Sequence, residues 1–385
     1  MNRTMTFGSP LPGIARVSLM LAALLLVLGV PPARASDESR PVDLVICLDV
    51  SGSMKDLLDA ARAQLWDVIN EFSGMSPTPS LRVGLLSYGD RQSGVENGWI
   101  LLQSDLTDDL DTVYAKLMAL EPTGEKEYVG RVLHAALETM SWSDDYEALK
   151  IIFVAGNESA DQGKEEYDFR DVVRDAADQE IFINSIYAGS EKSGITHHWS
   201  ELASLGRGMY TALNRSAKVQ QIAAPQDEEL QELNLRLNAT FVPFGERGQS
   251  ALDNLKKQDS NAAELGPQSL SSRIVTKSGA MYSNETWDLV TAFQQPGFDI
   301  GNLSDEELPP ALRGMSYSDL FAYLEEKRVE REEIALRVRE LDAERGEHIQ
   351  TTLTDVKYKN RARVGDVMKQ AVRSQAEARG FERDE

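Results

Sequence analysis

The sequence predicts an α/β fold: a doubly wound, mostly parallel sheet with helices on both faces, followed by a mainly helical C-terminal region. Three observations support this fold class. Short apolar segments alternate with segments of helical periodicity, which is typical of a sheet covered by helices. The first apolar segment is uninterrupted, as expected for a parallel strand that is buried on both faces. Beyond Pro225 the composition changes, and charged helical patterns replace the apolar runs.

The elements of the predicted sheet follow one another along the chain. The first strand, Val42 to Leu48, reads VDLVICL and leads through an acidic, glycine-containing turn into a helical pattern from Leu57 to Phe72. Further strands are predicted at 81–88, 99–103, 150–155 and 181–187, and further helices near 108–119, 127–141 and 168–179. One more helix begins at 199–203, and residues 208–210 lead into the last strand. The strands 81–88 and 99–103 are joined by a polar turn, so we expect a hairpin that adds an antiparallel edge strand.

The first 35 residues have the pattern of a signal peptide. Arg3 and Arg16 precede an apolar run, Val17 to Val30, that is shorter than the ~18–20 residues of a membrane-spanning helix. Small residues at Ala33 and Ala35 then form an A-x-A cleavage signal. We therefore predict cleavage after Ala35 and a periplasmic or secreted protein, the alternative being an uncleaved membrane anchor. No later segment of the sequence is apolar enough to span a membrane.

Composition limits the partners of the chain. The formal net charge is −22, with 62 acidic residues against 40 Lys and Arg. Such a surface repels nucleic acid and anionic lipid at long range, so neither is a predicted partner, whereas metal ions and cationic partners fit better. Cys47 is the only cysteine, so an internal disulfide is excluded, and its place in an apolar strand predicts a buried core residue.

Residues 226–385 are predicted to form a mainly helical region. A polar helix over 226–240 is followed by an irregular, glycine- and serine-bearing segment to about 303 and by a long charged helix over 316–348. One stripe of the long helix carries its apolar residues, namely Leu320, Leu324, Ile334, Val338 and Leu341. We interpret this helix as a solvated bracket. The alternative is a coiled-coil surface for self-association, although Lys327 and Arg331 interrupt the heptad pattern.

The turn after the first strand carries the most informative motif, Asp49-Val50-Ser51-Gly52-Ser53. In open α/β sheets, ligands bind at the carboxyl ends of the strands. Mg²⁺ prefers oxygen ligands and retains several waters, so two serine hydroxyls with one or two carboxylates suit it. Mn²⁺ and Ca²⁺ take the same ligand types, and the sequence does not choose among the three ions. Because the hydroxyls are neutral, an ion held here would accept a carboxylate from another molecule.

Asp49, Ser51 and Ser53 match the D-x-S-x-S motif of the von Willebrand factor A family, which the chain resembles over about residues 41–220. The segments YVGR and IIFVAGNE are similar to bacterial exported members of that family. The resemblance implies a family domain over 41–222 with a metal-ion-dependent adhesion site (MIDAS) at the motif. It also implies binding of a protein ligand that offers an Asp or Glu to the metal.

Two positions depart from the family pattern. The family has a threonine or aspartate in the loop before the fourth helix, where this chain offers Thr123, Glu125 and Glu127, and spacing does not choose between them. The family also has an aspartate after the IIFVAG strand, where this chain has Asn157 followed by Glu158. Asn157 can bind through its carbonyl oxygen or a bridging water but contributes no charge. We therefore expect weaker metal binding than is usual in the family, unless Glu158 compensates.

Enzyme signatures are missing from the sequence. Ser51 and Ser53 lie outside a G-x-S-x-G elbow, and none of the 4 histidines sits in a recognisable motif; the His197-His198 pair is predicted to lie in a surface loop. A phosphoryl-accepting role for Asp49 needs a second aspartate at position 51, and no phosphate-binding loop occurs. We therefore predict a binding protein that is not an enzyme. The alternative is a structural envelope protein that acts through its helical C-terminal region, with the metal only stabilising the fold.

Overall fold

The structure is a computed structural model, and it describes residues 39–90, 94, 98–124, 126–213, 222–353 and 364–383. The predicted signal peptide over 1–35 and Glu125 lie outside these residues. The described residues form one unit. Within them, we find no helix that is both long enough and apolar enough to cross a membrane.

Strands and helices alternate through the first half of the chain, and helices dominate the second. The strands are β1 (Arg40–Asp49), β2 (Met75–Ser76), β3 (Pro79–Tyr88), β4 (Ile100–Thr107), β5 (Leu149–Gly156), β6 (Ile181–Tyr187), β7 (Arg207–Ala212) and β8 (Glu382–Arg383). The helices of the first half are α1 (Lys55–Ile69), α2 (Leu110–Ala119), α3 (Val129–Thr139), α4 (Phe169–Asp178), α5 (Glu191–Thr196) and α6 (Trp199–Leu205). Those of the second half are α7 (Asp227–Thr240), α8 (Gly245–Leu265), α9 (Pro267–Ser278), α10 (Leu289–Ala292), α11 (Tyr317–Leu353) and α12 (Val364–Ala378).

Among the described residues, the main sheet has six strands in the order β4-β3-β1-β5-β6-β7. All neighbouring strands are parallel except β3 and β4, which pair antiparallel at one edge. The predicted parallel sheet with an antiparallel edge hairpin is therefore confirmed. β1 lies in the middle of the sheet and pairs with strands on both sides, which is why its sequence is a continuous apolar run.

Side chains of β1 alternate between two cores, one on each face of the sheet. Leu44, Ile46 and Leu48 belong to the core that α1 and α2 cover, whereas Val45 and Cys47 belong to the core beneath α3, α4 and α6. This alternation follows from the two-residue period of a strand. Cys47 is fully buried, which confirms its predicted place in the core.

The segment after α7 differs from the prediction. We expected an irregular stretch to about 303, but α8 and α9 together occupy most of 245–278. Their buried apolar positions are spaced widely among polar residues and join the core under α1, namely Leu252, Leu255, Ala262, Leu270 and Ile274. The serine content masked this pattern, and Pro267 begins a new helix after Gly266 instead of marking a loop.

The long charged helix α11 is confirmed, but the interpretation of the helix as a solvated bracket is wrong. Its apolar stripe is buried within the chain, with Leu324 and Val338 both 0% exposed, and α11 packs against α7, α9 and α10. Arg331, which interrupts the heptad pattern, pairs with Asp288 at 2.7 Å and lies over the Phe241 ring. The stripe is therefore occupied inside the chain, and self-association through the remaining faces of the helix stays a prediction.

The last described elements return to the sheet. α12 packs against α1, β6 and β7, and β8 pairs with β2. The side-chain amides of Asn184 on β6 and Gln375 on α12 exchange two buried hydrogen bonds, at 3.1 and 2.9 Å. Residues from the far end of the chain thus complete one face of the sheet.

Candidate metal centre

The D-x-S-x-S motif lies at the carboxyl end of β1, between the ends of β3 and β5. The loop before α3 joins it there through backbone hydrogen bonds. The N–H groups of Thr123 and Gly124 both donate to the Val50 carbonyl at 2.9 Å. Three loops, those after β1, β3 and β5, therefore meet the 122–127 loop at the centre of this edge.

Glycines allow these loops to approach one another closely. A Cβ atom on Gly124 would lie 1.4 Å from the Gly89 carbonyl oxygen, so any side chain there would push the two loops apart. A Cβ on Gly156 would lie 2.2 Å from the Tyr88 hydroxyl and 3.2 Å from Asp49 Oδ2. The backbone thus surrounds the Asp49 carboxylate closely and shields it from water.

Four side-chain oxygens in this centre are buried and accept or donate no hydrogen bond within the part of the chain that the structure describes. They are Asp49 Oδ2, Ser51 Oγ, Glu127 Oε2 and Asn157 Oδ1. The side chains that carry them are buried, with exposures between 0% for Asp49 and 7% for Glu127 and Asn157. Each buried polar atom left without a partner costs about 1–3 kcal/mol. Such a concentration of unsatisfied oxygens points to a ligand that accepts their lone pairs.

Hydrogen bonds hold the remaining polar atoms in place. Asp49 Oδ1 accepts from the Ser51 backbone N–H at 2.7 Å, and Asn157 Nδ2 donates to Ser53 Oγ at 2.7 Å. The second bond leaves the Asn157 carbonyl oxygen for another contact. Ser53 itself is exposed, so the outer side of the centre faces solvent.

The structure separates the candidates of the 122–127 loop. Glu127 is buried beside Asp49, and a Cβ on Gly89 would touch both side chains, at 3.3 and 3.4 Å. The Thr123 side chain is exposed, and its backbone rather than its hydroxyl contacts the motif. Glu125 lies outside the described residues. Of the residues singled out in the sequence, Asp49, Ser51, Ser53, Glu127 and Asn157 are brought together.

The electrostatics of the centre are those of two buried acids without a neutralising cation among the described residues. Burial, and secondarily the Glu127 carboxylate, raises the pKa of Asp49 to about 8, although the Ser51 backbone N–H lowers it. Burial also raises the pKa of Glu127, to which the charge of Glu158 contributes. Neither carboxylate forms an ion pair with a Lys or Arg of the described chain.

These residues fit a divalent cation. The unsatisfied atoms are all oxygens, and two belong to carboxylates, which is the donor set that Mg²⁺ and similar hard ions prefer. Across the described ranges, no three His, Cys, Asp or Glu side chains gather closely enough to hold an ion by themselves. Metal binding here therefore depends on the serine hydroxyl and the Asn157 carbonyl as well as on the carboxylates.

The loop that carries Asn157 is anchored by a junction that the sequence did not reveal. The Trp199 indole N–H donates to the Glu158 carbonyl at 2.7 Å, and the Ala160 N–H donates to the His197 carbonyl at 3.0 Å. His197 and His198 lie between α5 and α6 rather than in a free loop, and they hold this junction. An indole donor has no sequence signature, so only the fold shows which carbonyl it reaches.

Comparison with protein families decides the fold type of the sheet region. The model of the von Willebrand factor type A domain matches residues 43–225. This region is a von Willebrand factor type A domain. The resemblance seen in the motif is thereby confirmed, and the match covers β1 from residue 43 onward together with β3 to β7 and α1 to α6.

Solved structures with a similar region match this domain at low identity. One is proximal thread matrix protein 1 from the mussel byssus with a zinc-occupied MIDAS motif, 13% identical with a TM-score of 0.36, covering 46% of this chain and 42% of that chain. A second is an aerotolerance-related membrane protein from Bacteroides fragilis, 16% identical with a TM-score of 0.34, covering 45% of this chain and 92% of that chain.

A third is the vWF domain of the type V pili tip protein Mfa5 from Porphyromonas gingivalis, 13% identical with a TM-score of 0.34, covering 51% of this chain and 96% of that chain. The match thus spans less than half of the mussel protein. No curated protein sequence matches the chain.

Proposed function

We propose that the protein is an exported binding protein, not an enzyme, which docks a protein partner through a divalent cation in its von Willebrand factor type A domain. The observation that carries this proposal is the set of four buried oxygens that have no hydrogen-bond partner among the described residues. A polar turn that only capped α1 would use its side chains for that purpose. The N-cap of α1 is instead Met54, with no side-chain cap.

The chain offers a complete ligand set for such an ion. Asp49 and Glu127 would supply negative charge, and Ser51 Oγ and Asn157 Oδ1 would supply neutral oxygens. Ser53 would bind directly or through water, since Asn157 positions its hydroxyl. Mg²⁺ fits this set best among common ions, with Mn²⁺ and Ca²⁺ as alternatives. When bound, the ion supplies a position on the solvent side for a carboxylate from an Asp or Glu of the partner.

Export is proposed from the leader alone. The predicted signal peptide over 1–35 would place the mature protein in the periplasm or outside the cell. The only cysteine is buried, so the protein needs no disulfide to fold and is compatible with an oxidising compartment. The net charge of −22 opposes binding to nucleic acid and leaves proteins and metal ions as the expected partners.

Partner capture tests the proposal directly. The mature protein, residues 36–385, is immobilised and exposed to envelope proteins of its own source in Mg²⁺ or in chelator, beside Asp49→Ala and the exposed control Asp56→Ala. We expect capture that needs Mg²⁺, is lost in Asp49→Ala and persists in Asp56→Ala, with both variants folded, as shown by cooperative thermal melting in chelator. A loss of stability in Asp49→Ala without a specific loss of capture would instead support the structural alternative.

A further inference from the structure

A cleft of about 550 Å³ opens beside the candidate metal centre, between β4, α2 and the loop that follows α2. Its polar lining comes from both halves of the chain: Asp90, Gln103, Lys116, Glu121, Thr123 and Asn254. Asn254 belongs to α8, outside the residues that match the family model. The helical region therefore forms one wall of a surface that begins at the metal centre.

One end of the cleft adjoins the metal centre. Asp90 and Thr123 lie next to Gly89 and Gly124, the two glycines whose backbones touch at that centre. α2 runs away from this end of the cleft. α2 ends at Ala119 and the backbone is extended at Leu120, so Lys116 lies within the helix and Glu121 lies in the loop that follows it. Glu121 therefore lies nearer to the metal centre than Lys116.

The cleft holds two opposite charges that are not used by the fold. The side chains of Glu121 and Lys116 are both exposed, and neither forms an ion pair or side-chain hydrogen bond within the described residues. Gln103, by contrast, donates to Ser87 Oγ at 2.9 Å. Because Glu121 and Lys116 line the same cleft without pairing with each other, both are available to a bound molecule.

We propose that this cleft receives an extended segment of the partner in which acidic and basic side chains alternate. The first carboxylate goes to the metal, a basic side chain to Glu121, and a second carboxylate to Lys116. In an extended chain every second side chain points to the same face, so these three side chains are expected at every second position of the segment. This inference rests on the proposed function and names the chemistry of its partner.

Two labelled peptides of identical composition test the charge order. The first contains Asp-Gly-Lys-Gly-Glu and the second Asp-Gly-Glu-Gly-Lys, each flanked by glycines, and binding is followed by fluorescence anisotropy in Mg²⁺. Wild type is expected to bind the first peptide about threefold to tenfold more tightly, as partly exposed ion pairs contribute little each. The double variant Glu121→Lys with Lys116→Glu is expected to reverse the preference.

A matched control makes the same charge changes elsewhere. Glu138→Lys with Lys256→Glu alters exposed residues outside the cleft lining and is expected to keep the wild-type preference. Asn254→Trp, which fills the cleft from α8, is expected to weaken both peptides. If Asn254→Trp binds both peptides like wild type, α8 is not part of the docking surface.

The remaining outcomes separate this inference from the function on which it rests. Equal binding of both peptides, lost in Asp49→Ala, would overturn the charge order and leave metal-dependent docking intact. Binding that keeps its preference in chelator and in Asp49→Ala would support the cleft but overturn docking through the metal. Failure of wild type to bind either peptide at millimolar concentration would overturn the cleft proposal.

Discussion

Two clusters of buried carboxylates in this molecule differ in how their charge is matched. Between α2, α8 and α9, Asp259 pairs with Arg273 and with Lys277, each at 2.7 Å. In the candidate metal centre, Asp49 and Glu127 are buried without any cation of the described chain. The first cluster joins the two halves of the protein, whereas the second lies at the sheet edge where ligands bind.

The pKa values of the two clusters show the consequence. Burial would raise the pKa of Asp259, but Lys277 and Arg273 lower it to about 2. Burial raises the pKa of Asp49 to about 8, and the neighbouring Glu127 adds to this effect. Charges that serve the fold are therefore satisfied inside the chain. The unpaired acids at the carboxyl end of β1 instead favour the binding of a cation from solution.

The largest effect is expected from breaking the satisfied cluster. Arg273→Met removes a fully buried guanidinium that binds Asp111 at 2.6 Å and Asp259 at 2.7 Å. Leaving two buried carboxylates with too little positive charge should lower the free energy of unfolding by about 3–5 kcal/mol. Urea denaturation measures this, with Arg328→Met as the control, because Arg328 is half-buried and pairs with Glu325 and Glu332 of its own helix. Equal destabilisation by the two variants would show that the cluster does not hold the halves together.

The unsatisfied cluster should reveal itself in the pH dependence of stability without metal. Because the folded-state pKa of Asp49 is raised to about 8, the folded protein keeps this proton longer than the unfolded chain. The stabilisation is present below the unfolded pKa and is lost as the pH rises toward 8. In chelator, wild type should lose about 2–3 kcal/mol relative to Asp49→Asn between pH 5 and pH 7.

Urea denaturation of both proteins at pH 5, 6 and 7 measures this loss. Saturating Mg²⁺ should cancel it in wild type only, because the ion binds the ionised carboxylate. A pH dependence that is the same in wild type and Asp49→Asn would contradict the account of Asp49 as an uncompensated buried acid.

A smaller effect is expected from restoring the aspartate that the family has at the position of Asn157, directly after β5. Asn157→Asp adds a third carboxylate to the centre, which should tighten Mg²⁺ binding about tenfold, or about 1.4 kcal/mol. In chelator the same change should lower stability through repulsion with Asp49 and Glu127. Calorimetric titration measures the affinity. Unchanged or weaker affinity would mean that Asn157 does not face the ion.

The smallest effect is expected from Glu158, the residue considered as a substitute for the missing aspartate. Its side chain is exposed, and its backbone carbonyl is fixed by Trp199. Glu158→Gln should weaken Mg²⁺ binding less than about threefold, whereas Glu127→Gln should weaken it tenfold or more. The reverse order in a parallel titration would identify Glu158 as the second carboxylate ligand.

Much of the sheet and the motif could be predicted from the sequence because both depend on local patterns. The run around Cys47 and the D-x-S-x-S turn are contiguous, and strand alternation identifies their neighbours. The burial of Glu127, rather than Thr123, beside Asp49 could not be predicted, since it depends on how Gly124 packs against Gly89. The ion-pair cluster around Arg273 could not be predicted either, because Asp111 and Arg273 are 162 residues apart in the chain.

The region after the family domain was the hardest to predict. Its apolar positions are few and lie on helices that need α1 and the sheet to bury them, so no segment shows strong periodicity alone. Side chains such as Arg331 look like interruptions of a heptad, but they are partners of buried groups on other helices. Tertiary contacts, not local propensity, decide those elements.

The most direct test of the central claim is calorimetric titration of residues 36–385 with Mg²⁺ and Mn²⁺, comparing wild type with Asp49→Ala and Asp56→Ala. The unsatisfied oxygens of Asp49, Ser51, Glu127 and Asn157 predict saturable binding of one ion in wild type and in Asp56→Ala. Asp49→Ala is expected to lose this binding while remaining folded. No binding in wild type, or equal binding in Asp49→Ala, would contradict a metal centre at the end of β1.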